Sequence, residues 1–253
     1  MSYFRQLDAQ LEKLLGLMDK SQRWLIMYNA DPDALSSAMA LKRIISRRVE
    51  NVGLGHVNNI TRPDNLAMIR YLRIPTRKIT KGYINHFDHF ALVDSQPHHH
   101  PDYSDIDFSI VIDHHPPSEE NPIEAEYVDI RPEYGSNATI LTEYLYNLKI
   151  KPGQLLATAL VYGIKTDTAS FQREFIDVDV RAFRYLNKLA NKQTLLNITH
   201  NEFHLDWLQY FSRAFQNKHI HKKGLMAHLG VLKHSDILVI LADFFMRVNE
   251  IRW

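Results

Sequence analysis

Apolar and polar positions follow two alternating patterns along the first two thirds of the chain. Short apolar runs typical of buried strands are separated by segments whose apolar residues recur three or four positions apart, as in helices. The predicted strands are Arg23–Tyr28, Val52–Val57, Phe90–Ser95, Phe108–His115 and Ala125–Ile130. The main predicted helices are Leu7–Met18, Ala34–Val49, Pro63–Leu72, Ser136–Leu148 and Gly153–Gly163. Strands that alternate with helices predict an α/β fold with a mostly parallel sheet flanked by helices.

The pattern changes near residue 178, where helical spacing becomes continuous. Further helices are predicted over Val180–Leu189 and over a long stretch from Gln193 to Phe215, followed by a strand over Gly224–Leu232 and a helix over His234–Val248. The sequence therefore predicts an α/β domain over 1–178, a helical linker over 179–223 and a second lobe that begins at 224 and runs to 253.

Composition and charge exclude several classes of protein. The formal net charge is +1 with both signs interspersed, which argues against a strongly basic nucleic-acid binder, so any nucleic acid bound here is expected to be short. The chain has no cysteine, which excludes disulfides, thiolate metal sites and cysteine nucleophiles. A signal peptide and a membrane-spanning apolar run are both missing, so we expect a cytoplasmic protein without a membrane partner.

Three of the apolar runs end directly in aspartate. "WLIMYNADPD" leads to Asp31 and Asp33, "FALVDS" to Asp94, and "FSIVIDHH" to Asp113 followed by two histidines. The carboxyl ends of parallel strands lie along one edge of a sheet, where ligands bind. We expect these side chains to converge there, together with Asp167 after the apolar run "ATALVYGIK".

Clustered carboxylates raise one another's pKa unless a cation lies among them. Carboxylate and imidazole ligands without thiolate suit Mn²⁺ or Mg²⁺, and two such ions can activate water against a phosphate ester. Taken singly, Asp33 is equally well explained as a helix N-cap, and Asp94 and Asp167 as turn residues. The joint pattern favours a metal site.

The quoted motifs, in their order along the chain, resemble the DHH phosphoesterase family. "NADPDALSSAMAL", "ALVDS", "VIDHHPP" and "LVYGIKTDTASF" carry the resemblance, which extends over roughly Trp24 to Leu186. That family includes RecJ-type exonucleases, NrnA-type oligoribonuclease and phosphoadenosine-phosphate phosphatases, and manganese-dependent pyrophosphatases. The resemblance implies a two-metal phosphoesterase.

The resemblance also implies a role for each residue of the motifs. Asp31 binds a first ion, Asp33 a second, and Asp94 bridges both. His114 and Asp167 complete the ligands of the second ion. Asp113 orients a histidine, His115 lies near the substrate phosphate, and Ser136 lines the same cleft. Asp113 and His115 are thus the expected catalytic residues, and His115 and Ser136 the expected substrate contacts.

Two features depart from the family's pattern. The histidine that usually stands four residues before the first aspartate is Met27 here, and a thioether is a poor ligand for hard cations. The first ion is therefore one ligand short, unless Asn29 or a nearby histidine compensates. The second feature is the C-terminal segment, which looks like the start of a substrate-binding lobe but has no Gly-rich motif. We interpret the chain as truncated or as lacking that lobe.

The predicted function is a Mn²⁺- or Mg²⁺-dependent hydrolase, with one or two ions, that cleaves phosphate esters of small nucleotides or acts as a nuclease on short oligonucleotides. The alternative is a catalytically weakened homologue that binds a nucleotide or a protein, and inorganic pyrophosphatase activity is a third, less favoured interpretation. A homodimer is left open. The histidine run "QPHHHP", His86 and His89 are expected to be loop residues, "NKHIHKKG" a solvated connection, and Arg131 a surface residue.

Overall fold

The strands nearest the N-terminus form one parallel sheet. The structure is a computed structural model that describes residues 3–200, 203–233 and 235–253. Six strands of these residues lie in the order β3-β2-β1-β4-β5-β6, and every neighbouring pair runs parallel. The strands are β1 Arg23–Tyr28, β2 Asn51–His56, β3 Thr76–Lys78, β4 His89–Val93, β5 Phe108–Asp113 and β6 Tyr127–Ile130. The predicted α/β fold with a mostly parallel sheet is confirmed.

Helices connect the strands and continue after the sheet. They are α1 Asp8–Gly16, α2 Pro32–Ile45, α3 Pro63–Leu72, α4 Lys81–Ile84, α5 Asn137–Asn147, α6 Gln154–Asp167, α7 Asp177–Asn187, α8 Lys192–Thr199, α9 Leu208–Gln216 and α10 Asp236–Met246. Within the described ranges, no helix combines the length and the apolar character that crossing a bilayer requires. An antiparallel hairpin, β7 Lys218–His221 and β8 Gly224–Ala227, precedes α10.

The two faces of the sheet have separate apolar cores because side chains of a strand alternate between faces. Trp24, Ile26 and Tyr28 of β1 pack with helices α2, α5 and α6 in the larger core. Leu25 and Met27 point to the opposite face, into a smaller cluster that is closed by loop residues. Strands buried on both faces read as continuous apolar runs, which is why the sequence of β1 shows no alternation.

The C-terminal third differs from its prediction. The long helix expected over 193–215 is wrong as a single element: α8 and α9 are separate, and Asn201 and Glu202 between them lie outside the described residues, as does His234. Helices α7 and α8 contribute to the larger core, whereas α9, β8 and α10 surround a third apolar cluster that includes Trp207. Packing therefore separates the two parts of the chain near residue 200. The domain limits at 178 and 223 stay a prediction.

The basic segment "NKHIHKKG" also differs from its prediction. It was expected to be a solvated connection, but most of it forms strand β7 and the turn of the hairpin, with all four β7 residues exposed to solvent.

Arg131 is a buried residue, and its predicted surface position is wrong. Its guanidinium group, only 3% exposed, lies 2.6 Å from a carboxylate oxygen of Asp129 and 2.6 Å from one of Glu143. The hydroxyl of Tyr134 donates to the same Glu143 oxygen at 2.8 Å. The pattern missed this arrangement because the alternating charges of "YVDIRPEYG" are equally typical of a solvated loop. Arg131 cannot therefore reach a substrate, and it fixes the loop after β6.

We expect replacement of Arg131 by Met to lower the free energy of unfolding by about 3–5 kcal/mol, because Asp129 and Glu143 would be left as unpaired buried charges. Urea unfolding followed by circular dichroism measures this. Arg5→Met is the matched control: the Arg5 side chain is 49% exposed and lies 3.4 Å from the same Glu143, so its loss should cost under about 1 kcal/mol. Equal losses in the two variants would contradict the buried network.

Candidate metal centre

The carboxyl ends of β1, β4 and β5 lie side by side in the sheet, and each continues into an acidic motif. Asp31 and Asp33 follow β1, Asp94 follows β4, and Asp113 closes β5. The last residue of α6, Asp167, comes from the helix layer rather than from the sheet. The structure therefore brings the acidic residues of four separate segments to one edge of the sheet.

Asp31 and Asp33 both serve helix N-termini, but of different helices. Asp31 caps α2 and accepts a hydrogen bond from the amide of Ala34 at 2.9 Å, so the expectation that Asp33 is the cap is wrong. Asp33 instead accepts the amides of Asn137 and Ala138 at 2.6 and 2.8 Å. These amides are free because they belong to the first turn of α5. The N-terminal end of a helix dipole stabilises a negative charge, which holds the buried Asp33 carboxylate in place.

Gly163 allows α6 to approach Asp33. A Cβ atom at this position would lie 2.4 Å from Oγ of Ser36 and 3.2 Å from both Cα and Oδ1 of Asp33. A side chain at this position would require the Ser36 hydroxyl to move away and would press against Asp33. The absence of a side chain at Gly163 therefore lets α6 pack closely against the segment that carries Asp33.

The residues after Asp167 form an unusual turn. Ala169, Ser170 and Phe171 have φ angles of 46°, 58° and 65°, and none of the three is glycine. Left-handed conformations cost side-chain-bearing residues roughly 1–2 kcal/mol each. The amide of Ser170 donates to the Lys165 carbonyl at 2.7 Å and that of Phe171 to Oγ1 of Thr168 at 3.2 Å, which stabilises the turn.

Asp94 is 7% exposed and also has a left-handed backbone, with a φ of 56°. Its amide donates to the carbonyl of Ile112 at 2.9 Å, which ties the end of β4 to β5. Aspartate and asparagine tolerate this conformation better than most residues. The turn directs the chain sharply into the segment that begins at Ser95.

Asp113 holds the following histidine pair from inside the protein. Its carboxylate is fully buried and accepts hydrogen bonds from the His114 amide at 2.8 Å, Nδ1 of His115 at 2.8 Å and Nε2 of Gln96 at 2.9 Å. Burial opposes the charge, but the hydrogen bond and charge of His115, the hydrogen bond from Gln96 and the charge of His114 together lower the pKa of Asp113. Asp113 therefore orients the loop. Sequence reasoning missed Gln96, which has no motif of its own and lies two residues after Asp94.

His114 lies at the centre of the carboxylates. Its Nδ1 is 3.0 Å from the Tyr134 carbonyl and donates to it, which leaves Nε2 on the side of the acids. Nε2 is 3.1 Å from Asp167, 3.4 Å from Asp94 and 3.9 Å from Asp33. His115 is half-exposed on the open side of this group, with its ring centroid 4.6 Å from that of His114.

The electrostatics of the cluster favour a cation. Burial and then the charge of Asp167 raise the pKa of Asp33 to about 8, and burial raises that of Asp31 to about 6. Burial and the charges of Asp33 and Asp31 raise the pKa of Asp94 well above its ordinary value. Burial disfavours the imidazolium of His114, but Asp167 and Asp33 outweigh it and raise its pKa to about 9. The carboxylates thus draw positive charge to their centre.

The residues present fit a divalent ion. Two groups of three side chains have possible ligand atoms within 4.8 Å of one another: Asp33, His114 and Asp167 in one, Asp94, His114 and His115 in the other. Oδ1 of Asp94 and Nε2 of His114 are buried and make no well-aligned hydrogen bond among the described residues, although they lie within ion-pair distance of each other. Buried polar atoms without a well-aligned hydrogen bond are uncommon, and a bound ion would satisfy both. Carboxylate oxygens and imidazole nitrogens are both donors to divalent metal ions.

Three further residues named from the sequence belong to neither group of possible ligands. Ser136 is fully buried and caps α5 through Thr139, so its role as a substrate contact stays a prediction. Met27 is fully buried in the smaller apolar cluster, on the face of the sheet opposite α2. His89 begins β4 and stacks on Trp24, at the amino end of the strand and therefore away from the carboxylates. Neither His89 nor Met27 supplies a ligand to this centre.

The comparisons with known proteins agree with this geometry. The family profile described as DHH family, N-terminal domain, matches residues 24–164. These residues include each aspartate and histidine of the candidate metal centre except Asp167, which lies three positions beyond the match. An uncharacterized protein of Methanocaldococcus jannaschii is 33% identical over 224 residues, which cover 88% of this chain. The chain spans only 46% of the length of that relative.

Two solved structures share the fold. An exopolyphosphatase-related protein from Bacteroides fragilis has a TM-score of 0.72 and 12% identity over 96% of this chain and 76% of its own. A Methanococcus jannaschii protein described as a candidate family II inorganic pyrophosphatase has a TM-score of 0.58 and 17% identity over 87% of this chain and 76% of its own. At these identities the likeness shows the fold.

We expect Asp94→Asn to stabilise the metal-free protein at pH 8 by about 1 kcal/mol or more, because it removes one of several repelling charges and keeps the left-handed backbone. Raised carboxyl pKa values, and the raised pKa of His114, stabilise the folded state at low pH, and this stabilisation is lost as the pH rises through about 8 to 9. Unfolding free energies of the wild type should therefore fall more steeply between pH 5 and 9 than those of the variant. Identical slopes would contradict the repulsion.

Gly163→Ala should weaken Mn²⁺ binding at least about tenfold and lower the free energy of unfolding by about 1–3 kcal/mol, because the new methyl group separates α6 from Asp33. Titration calorimetry and urea unfolding measure the two effects. Gly153→Ala, at the start of the same helix, is the control, since a Cβ there meets no atom within 4 Å. Unchanged Mn²⁺ affinity in Gly163→Ala would show that the close approach does not position the ligands.

Proposed function

Because this chain belongs to the DHH family, we propose that it is a metal-dependent phosphoesterase that hydrolyses phosphate esters of small nucleotides or short oligonucleotides. Family membership itself supports a phosphoesterase-type hydrolase and dependence on a divalent metal. The choice of substrate and of Mn²⁺ over Mg²⁺ belongs to the proposal. The activity of any longer protein also belongs to the proposal, because this chain spans only 46% of the length of the archaeal relative.

One observation carries the proposal: Nε2 of His114 lies within 3.9 Å of carboxylate oxygens from Asp33, Asp94 and Asp167. Three buried or partly buried acids around one imidazole nitrogen have little structural value, because desolvation and repulsion destabilise them. An ion bound among them removes that cost. Structural ion pairs in this protein, such as those of Arg131, are arranged with opposite charges in contact instead.

The residues of the centre would have different roles in the proposed reaction. Asp33, Asp94, His114 and Asp167 would hold one ion, and Asp31 and Asp94 would hold a second. A bound divalent ion supplies Lewis-acid activation of water and neutralises charge on the phosphate. Asp113 and the Tyr134 carbonyl fix the two imidazole rings, so that little reorganisation is needed when substrate binds. Half-exposed His115 is the side chain of the pair that a phosphate oxygen can reach from solvent.

A second candidate function follows from Met27. This position has a methionine in place of a histidine, and the side chain is enclosed by apolar neighbours, so it supplies no ligand to a first ion. With only one tightly held ion, the same cleft would bind a nucleotide or a protein and turn over slowly. Two ions per chain in titration calorimetry with Mn²⁺ would favour the phosphoesterase, and one weakly bound ion or none would favour the binding module.

We expect the purified chain with Mn²⁺ to shorten a 5′-labelled oligoribonucleotide of three to five residues, and the activity to disappear with EDTA. Asp94→Asn should lower kcat/KM at least about a hundredfold, since it removes a charge from the centre while the backbone conformation is kept. Product analysis on denaturing gels and phosphate release measure the two effects. Activity that persists in Asp94→Asn, or in EDTA, would contradict a metal-dependent mechanism at this site.

A further inference from the structure

The histidine run after β4 forms an ordered turn, and one of its members, His99, lies beside the candidate metal centre. Residues 97–99 form a single turn of 3-10 helix that starts three positions after Asp94. The amide of His99 donates to the Gln96 carbonyl at 2.9 Å, and the amide of Gln96 donates back to Nδ1 of His99 at 3.1 Å. This pair of hydrogen bonds fixes the orientation of the His99 ring.

The hydrogen bond from Gln96 determines which nitrogen of His99 carries the proton. A backbone amide can only donate, so Nδ1 of His99 must accept, and the proton of the neutral ring lies on Nε2. His115 has the opposite arrangement, because its Nδ1 faces the carboxylate of Asp113, which can only accept. The outer nitrogen of His115 therefore offers a lone pair, whereas that of His99 offers an N–H donor.

His99 lies beside His115. The two ring centroids are 5.7 Å apart and the rings are nearly perpendicular, at 86°. Both side chains are exposed, and Asp94, His114 and His115 form one of the possible metal-binding groups. The exposed ring of His99 thus lies next to the histidine that a phosphate would meet first.

The turn that carries His99 is attached to the loop that carries His114 and His115. Nε2 of Gln96 donates to Asp113 at 2.9 Å and lies within hydrogen-bond distance of two carbonyls of that loop, those of His115 at 3.0 Å and Pro116 at 3.3 Å. The side chain of Gln96 is completely buried. His99 consequently keeps its position relative to His115, as a preorganised hydrogen-bond donor must.

We propose that His99 contacts the substrate: its Nε2–H donates a hydrogen bond to a non-bridging phosphate oxygen bound next to His115. The inference rests on the proposed phosphoesterase function and adds a residue to that site. Neutral His99 supplies no metal ligand, because its Nδ1 accepts the hydrogen bond from the Gln96 amide and its Nε2 carries the proton. Its contribution is to phosphate binding, separate from ion binding.

His99→Ala tests the proposal, with His98→Ala as the matched control, because His98 is an exposed histidine of the same turn. With the Mn²⁺-loaded protein, His99→Ala should weaken the binding of inorganic phosphate about tenfold and lower kcat/KM by a similar factor through KM, as the loss of one hydrogen bond to a charged group implies. Mn²⁺ affinity should stay within about twofold of the wild type in both variants. His99→Gln, whose amide can also donate, should recover part of the phosphate affinity.

Each other outcome overturns the inference. Equal phosphate affinity in His99→Ala and His98→Ala would show that His99 makes no contact, and a parallel loss of Mn²⁺ affinity would show that it is a ligand instead. Far-ultraviolet circular dichroism and melting temperature identify any variant that misfolds, in which case His99→Gln alone decides. If the wild type cleaves no ester, the proposed function fails, but phosphate affinity still tests His99. A wild type that binds no phosphate overturns both.

Discussion

Repulsion between carboxylates is the constraint around which this protein is organised. Three aspartates from separate segments meet beside one imidazole nitrogen, and burial raises the pKa of two of them, Asp33 and Asp94, and of the neighbouring Asp31. A fold that keeps such a group together must be stabilised elsewhere. The sheet with an apolar core on each face, together with the helices of the larger core, provides that stabilisation. The loops at the carboxyl edge are therefore free to hold charges at an energetic cost.

The charged groups are positioned mainly by neutral partners. Backbone amides of α5 hold Asp33, and the Tyr134 carbonyl holds His114. The side-chain amide of Gln96 holds both Asp113 and the loop that follows it. Neutral donors and acceptors add no net charge to a site that, under the proposed function, accepts an ion and an anionic substrate. The charged network of Arg131 is buried beneath the centre's loops, and it fixes the loop that carries the Tyr134 carbonyl.

Much of the fold could be predicted from the sequence, because parallel strands buried on both faces appear as apolar runs between helical segments. The site was predictable for a related reason: runs that end in aspartate must share one edge of a parallel sheet. Gln96, Gly163 and the amides of Asn137 and Ala138 could not be found in this way, since backbone groups leave no pattern and contacts between distant segments need coordinates. Arg131 was predicted at the surface because a buried charge that is paired with opposite charges has the same sequence pattern as an exposed one. The joint between α8 and α9 was missed because both helices continue the same apolar spacing.

The double engagement of Asp33 bears on how genetic data for this protein can be read. Its two carboxylate oxygens accept two amides that start α5, and Asp33 also belongs to one of the possible ligand groups, so a substitution there would disturb the scaffold and the proposed chemistry together. Asp167 is different: its side chain is 31% exposed and lies 3.1 Å from Nε2 of His114. Alleles at Asp167 can therefore separate loss of activity from loss of protein abundance, whereas a null allele at Asp33 cannot distinguish them.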